Sequence, residues 1–199
     1  MCRFSTPTAC GRHSSRIRPS EAEPLSSGFS SRHGKPGVLA SFEPAEVSIL
    51  RSLVAHVLDL VAPGQTSDDP LERALGIGDA EPPMEPELAR LFPAAYEDEQ
   101  DAAEFRRYTE ATLRDGKRAD AQTVLDTAKP GAVELTPEQA QAWLRSLNDV
   151  RLAFGTRLGV TEEVHDQIDT MSAEDPLYPA YVTYDWLTYL QDSLVRALW

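Results

Sequence analysis

The spacing of apolar residues decides what this chain can fold into. Val47, Leu50, Val54, Val57, Leu58 and Val61 recur three and four positions apart, which gathers them on one side of an α-helix of about five turns. Pro44, preset for a first helical turn, opens that run after Ser41-Phe42-Glu43, and Pro63-Gly64 ends it. Trp143, Leu147, Val150, Phe154 and Leu158 repeat the pattern behind Thr136-Pro137-Glu138-Gln139, a capping box in which Thr136 and Gln139 satisfy each other's free amides, and Gly159 supplies the stop. This second segment is expected to be the central core helix.

The same reading predicts a short helix from Asp69-Pro70 through Leu75, closed by Gly76, and a helical turn over Glu87 to Phe92. Tyr96, Phe105, Tyr108 and Leu113 mark a longer helix expected to stop at Gly116, with a separate helix over Lys117 to Ala128 turning Ala121, Val124 and Leu125 inward. Residues 161–178 read as acidic and irregular. Tyr184, Trp186, Leu187, Leu190, Leu194 and Leu198 then give a C-terminal helix, with Asp185 placed to cap or pair near its start. Val133 to Leu135 is the only plausible strand and is too short to define a sheet by itself. The expected fold is mostly α, a single compact helical domain of about five to six helices over residues 38–199 with at most a minimal β element near Val133 to Leu135.

Charge is as uneven as hydrophobicity. Residues 1–37 carry Arg3, Arg12, Arg16, Arg18, Arg32 and Lys35 against Glu21 and Glu23, a net of +4, so with −13 for the whole chain the remainder carries −17. A domain that negative repels phosphate backbones, because affinity for nucleic acid comes mainly from Lys and Arg displacing counterions, and it favours basic protein partners. Residues 1–37 are Ser- and Arg-rich without apolar periodicity and read as a disordered basic tail, of the kind an upstream start codon adds. Both cysteines, Cys2 and Cys10, fall in that tail and cannot staple the core, which points to cytoplasmic residence. No run approaches the roughly 18 apolar residues of a membrane span.

The motifs that usually carry catalysis are missing: there is no glycine-rich phosphate loop, nucleophile elbow, Cys-x-x-Cys or His-Glu-x-x-His. Leu75-Gly76-Ile77-Gly78-Asp79 has two glycines but neither the third glycine nor the preceding strand of a dinucleotide site, and it reads as a helix stop. His165 stands among Glu162, Glu163 and Asp166 without a spacing that closes a coordination shell, and His56 falls one residue off the apolar stripe of its helix. No catalytic, cofactor or metal residue is nominated. Arg145, Asn148, Asp149 and Arg151 share a helix with Trp143 and Phe154, so some of them must approach the core and need hydrogen-bond partners there. Arg107, Arg114 and Arg118 would share one face if their helix ran through Gly116, a small basic stripe able to touch phosphate or a partner. Cys2 and Cys10, with seven residues between them and Arg3 and Arg12 beside them, form a candidate redox pair.

Residues 142–159 (AWLRSLNDVRLAFGTRLG) closely resemble the signature segment of the actinobacterial oxidative stress transcriptional regulator AosR family. Residues 46–53 (EVSILRSL), 69–78 (DPLERALGIG), 88–96 (LARLFPAAY) and 184–198 (YDWLTYLQDSLVRAL) agree with it, so the resemblance runs from about Phe42 to Leu198 and gives Trp143, Asn148, Asp149, Arg151, Tyr184, Asp185 and Trp186 as signature positions of structural character. It implies redox-responsive transcription control in a bacterial cytoplasm, acting through a sigma factor or polymerase component with DNA contact possible, and it brings no catalytic residues. It also implies a cysteine-based oxidant sensor, which this chain can supply only from Cys2 and Cys10. The family's frequent placement beside the proteolytic adaptor ClpS implies the alternative of a non-transcriptional helical adaptor or scaffold.

Overall fold

The capping box at Thr136 forms: its hydroxyl accepts from the Gln139 amide at 3.2 Å, and its own amide donates to Gln139 Oε1 at 3.0 Å. In a computed structural model describing residues 28–62, 78, 81–161, 168 and 170–199, this cap opens a helix that other elements surround. In chain order the described elements are β1 (Phe29–Ser31), β2 (Val38–Phe42), α1 (Pro44–Leu60), α2 (Pro86–Leu91), α3 (Glu99–Thr127), β3 (Gly131–Leu135), α4 (Pro137–Leu158) and α5 (Tyr178–Leu198). The mostly α expectation therefore holds, and α4 is the central helix, packed against α1, α2, α3 and α5. Its apolar stripe is why: Trp143, Leu147 and Val150 are essentially inaccessible to solvent. No described helix is long and apolar enough to cross a membrane.

The strand at Val133 to Leu135 exists, in a sheet with two further strands that periodicity did not reveal. β1, β2 and β3 form an antiparallel sheet in that order, with Phe29 opposite Ala40, Val38 opposite Leu135 and Phe42 opposite Gly131. Val38, Ala40 and Phe42 alternate inward along β2 and cover one end of α4, as a half-buried strand should. Phe42 stacks on Trp143 with ring centroids 5.7 Å apart, Phe29 meets both rings edge-on, and the indole nitrogen of Trp143 donates to Thr127 Oγ1 at 2.7 Å. Gly37, which leads into β2, has φ 102°, and a Cβ there would lie 2.2 Å from the carbonyl oxygen of Leu135, so the strand pair can close only around glycine.

This sheet corrects the boundary expected between a tail of residues 1–37 and a domain beginning at Val38. Phe29 is 6% exposed, and its amide donates to Ser193 Oγ on α5 at 2.9 Å, so packed structure starts well before Val38. A three-residue strand in a Ser- and Gly-rich stretch has too few positions to show a period. The helix expected over Asp69 to Leu75 lies outside the described residues.

Two helix limits also differ from expectation. Gly116 does not end a helix: α3 runs unbroken from Glu99 to Thr127 and packs on α1 and α4. Glycine inside a helix costs about 1 kcal/mol against alanine, less than the burial of Ala121 and Val124 beyond it returns. α5 begins at Tyr178 rather than near Tyr184, with Pro179 in its first turn and the Tyr181 hydroxyl donating to the Leu158 carbonyl at 3.3 Å. Asp185 therefore lies inside the helix and does not cap it.

Candidate functional site

The polar residues of α4 are divided between its two neighbours. Toward α3, Arg145 Nε and Nη2 both donate to the Asp120 carboxylate at 2.7 Å, and Lys117 Nζ donates to Asp149 Oδ1 at 2.6 Å. Toward α5, Arg151 donates to Thr188 Oγ1 at 3.1 Å and to Gln191 Oε1, and its guanidinium lies 5.6 Å from the Tyr184 ring centre. Gln191 in turn donates to Asn148 Oδ1 at 3.5 Å. The core-facing polar groups expected on this helix thus have partners, and the cross-helix spacing explains them: Lys117 and Asp120 on α3 stand three apart, facing Arg145 and Asp149 four apart on α4.

Burial pushes the Asp149 carboxyl above the usual carboxylate range, with the Lys117 hydrogen bond and charge pulling against that and the Asp120 carboxylate adding to it. Asp120 raises Arg145 in the opposite sense of risk, fixing its positive charge more firmly by hydrogen bonding. Opposite charges therefore pair between α3 and α4, Lys117–Asp149 largely buried and Arg145–Asp120 reaching the surface.

Above these pairs lies a groove of about 770 Å³ between α3, α4 and α5. Lys117 and Asp149 contribute to it together with Leu113, Leu144, Val195 and Trp199, of which Leu113 is 50% and Trp199 83% exposed. A volume of this size with an apolar lining and few polar groups is what binding grooves usually show. Because the charged side chains already answer one another, the groove presents mainly shape and apolar surface. Among the described residues no group of three or more His, Cys, Asp or Glu is placed to hold a metal ion.

The arginines expected to form a basic stripe are employed within the fold. α3 does run through Gly116, as a shared face requires, but Arg114 is 7% exposed, with Nη1 donating to the Ala62 carbonyl at 2.9 Å and Nε to Glu110 at 2.8 Å. Arg118 donates to the Leu58 carbonyl at 3.3 Å, and the Arg107 carbonyl accepts from the Gly78 amide at 3.0 Å. Arg51 of α1 returns the service, donating to the carbonyls of Leu125 and Ala128 at the end of α3, the latter at 3.3 Å. Neither helix has a basic residue in its own last turn, so each receives its C-terminal cations from the other.

Of the remaining signature positions, Trp143 and Trp186 are buried in the core, and Tyr184 packs against α4 so closely that a Cβ on Gly155 would come within 2.9 Å of its ring. His56 Nε2 lies 3.2 Å from Glu87 Oε2, a pairing of α1 with α2. Cys2, Cys10, His165 and its acidic neighbours lie outside the described residues. Sequence reasoning missed Lys117, Asp120 and Gln191 as partners and Leu113, Val195 and Trp199 as a shared surface, since an expected helix break at Gly116 separated Leu113 from Lys117.

Residues 26–198 match the family described as a domain of unknown function (DUF2017). A Mycobacterium leprae (strain TN) protein named provisionally as oxidative stress regulator AosR is 36% identical over 175 residues, covering 78% of this chain and 79% of its own length. Oxidative stress regulator AosR of Mycobacterium tuberculosis (strain ATCC 25618 / H37Rv) is 32% identical over 96% of this chain and 98% of its own length, as is that of Mycobacterium bovis (strain ATCC BAA-935 / AF2122/97). No solved structure matches the chain. Since the matched span takes in every helix and strand described, and the relatives extend over most of its length, this chain belongs to the DUF2017 family together with the mycobacterial AosR proteins.

Proposed function

We propose that this chain is a cytoplasmic, non-enzymatic regulator of transcription under oxidative stress, working mainly through protein contact with a sigma factor or a polymerase component. Its relatives named as oxidative stress regulators supply the biological setting. The observation that carries the choice of mechanism is charge: residues 38–199 hold −17, and Arg114 and Arg118, two of the three arginines expected in a phosphate-binding stripe, are bonded to main-chain carbonyls instead. A surface of that sign opposes DNA and attracts a basic protein face. DNA contact is secondary in this reading.

Oxidant sensing falls to Cys2 and Cys10, the only thiols in the chain. Peroxide oxidises one thiolate to a sulfenic acid, its O–O bond breaking to release hydroxide, and the other thiol then displaces water from that sulfur to close the disulfide. Affinity purification of the full chain from its own cells, at low and moderate salt, should recover a transcription component. Recovery of protease components alone would instead support the adaptor reading, and recovery of no transcription component at either salt would refute the regulator.

A further inference from the structure

The groove between α3, α4 and α5 does not stop at its own rim. Leu113 also lines a second depression of about 240 Å³, formed with Phe92, Phe105 and Arg106. Phe105 is 42% exposed and meets Tyr96, itself 51% exposed, edge-on with ring centroids 5.6 Å apart. Tyr96, Phe105, Leu113, Val195 and Trp199 therefore belong to one apolar strip, running along α3 and across to α5, and they make up half of the large hydrophobic side chains exposed among the described residues. From Phe105 to Gly116 the strip follows α3 for about 17 Å at 1.5 Å per residue, the length of three helical turns. Exposed apolar surface that is contiguous, rather than scattered, marks a place where something binds.

Charge indicates what binds. At the Tyr96 end, Glu97, Asp98, Glu99, Asp101 and Glu104 are all exposed, and none is in an ion pair with a described residue. Of the two arginines that follow Glu104 on α3, Arg106 is buried and held by Glu110 at 3.1 Å and by the Phe92 carbonyl at 3.3 Å, and Arg107 is half-buried. At the Trp199 end the fixed charges cancel, Lys117 against Asp149 and Arg145 against Asp120. The strip is thus apolar along its length, strongly acidic at one end and neutral at the other.

We propose that this strip docks an amphipathic helix of a partner protein, whose apolar face lies along Phe105, Leu113, Val195 and Trp199 and whose Lys- or Arg-rich end lies over residues 97–104. Helix-in-groove recognition supplies affinity through the apolar face, and the lopsided charge fixes which way the partner helix points. The inference rests on the reading of this protein as one that acts by protein contact, and it adds the surface and the chemistry of the segment that meets it.

The test places the photo-crosslinking residue p-benzoylphenylalanine at Leu113 of the full chain in its own cells, with Ile49 on another face as control, and maps the crosslinked peptide by mass spectrometry. The expected product is an amphipathic segment with basic residues at one end. A synthetic copy should bind the purified full chain with an affinity that falls at least tenfold with Leu113→Glu plus Val195→Glu, falls similarly with Asp101→Lys plus Glu104→Lys, and weakens as salt rises. Because all four positions are exposed, circular dichroism should show these variants folded. Crosslinks only to a second copy, only to residues 1–27, or to nothing would overturn the proposal, as would a captured peptide whose binding the variants leave unchanged. If the segment comes from a protein outside transcription, the docking surface stands and the regulator reading falls; if association with the transcription machinery survives Leu113→Glu plus Val195→Glu, the reverse holds.

Discussion

Asp149 shows how a single side chain joins stability to the groove. It is 4% exposed, and it is ion-paired with Lys117 at 2.6 Å, whose side chain is itself only 22% exposed, with the Arg145 charge acting from further off. Breaking such a pair leaves a buried charge without compensation, so Lys117→Met should destabilise the fold by on the order of 3 kcal/mol at pH 7 in urea unfolding. Its pH dependence follows from the raised carboxyl. A carboxyl that holds its proton more tightly when folded contributes stability that is full below the ordinary carboxylate pKa and is lost as pH rises through the folded value. The stability of the native protein relative to Asp149→Asn should accordingly be greatest near pH 3 and shrink as pH rises through the folded value. A difference that grows with pH in paired urea titrations would mean that the Lys117 contact outweighs burial.

At the scale of elements, α3 offers a direct test of how its continuity is maintained. Gly116 sits in helical conformation with nothing within 4 Å of where a Cβ would stand, so Gly116→Ala should raise stability by about 0.5–1 kcal/mol, readable as a higher thermal midpoint. A lower midpoint would mean that the glycine is needed for a bend or a close contact. The same glycine shows where sequence reading reaches its limit. Punctuation that acts through the local chain was legible: Thr136 and Gln139 fixed the start of α4, and Pro44 that of α1. Gly116 carries an equal local signal for a stop, but the packing of Ala121 and Val124 overrides it. β1 and β2 were illegible for the opposite reason, since three and five residues are too few for periodicity and their partners lie far along the chain. The polar residues of α4 could be seen to need partners; which partners depended on how three helices are arranged in space.

For the molecule as a whole, the position of β1 brings packed structure to the N-terminal side of Val38. A chain starting at Val38 lacks the buried Phe29 and the β1–β2 pairing, and it should melt well below one starting at Ser27, since removing a buried phenylalanine alone costs about 3–5 kcal/mol. Equal midpoints would show that β1 is dispensable. Replacing both Cys2 and Cys10 by Ser should leave helical signal and thermal midpoint unchanged while abolishing an oxidant-dependent mobility shift on non-reducing gels. Loss of helical signal in that variant would tie residues 1–27 to the core. The bond from the Phe29 amide to Ser193 Oγ spans 164 positions in sequence, the longest tie among the side-chain hydrogen bonds described. On the ribosome β1 therefore emerges long before the helix that closes over it, and contacts of such separation are the slow ones to form. Chains stalled before Ser193 clears the exit tunnel should leave Phe29 open to protease, and release should protect it. The folding of β1 is thus completed from a distance, by a helix made about 150 residues after it.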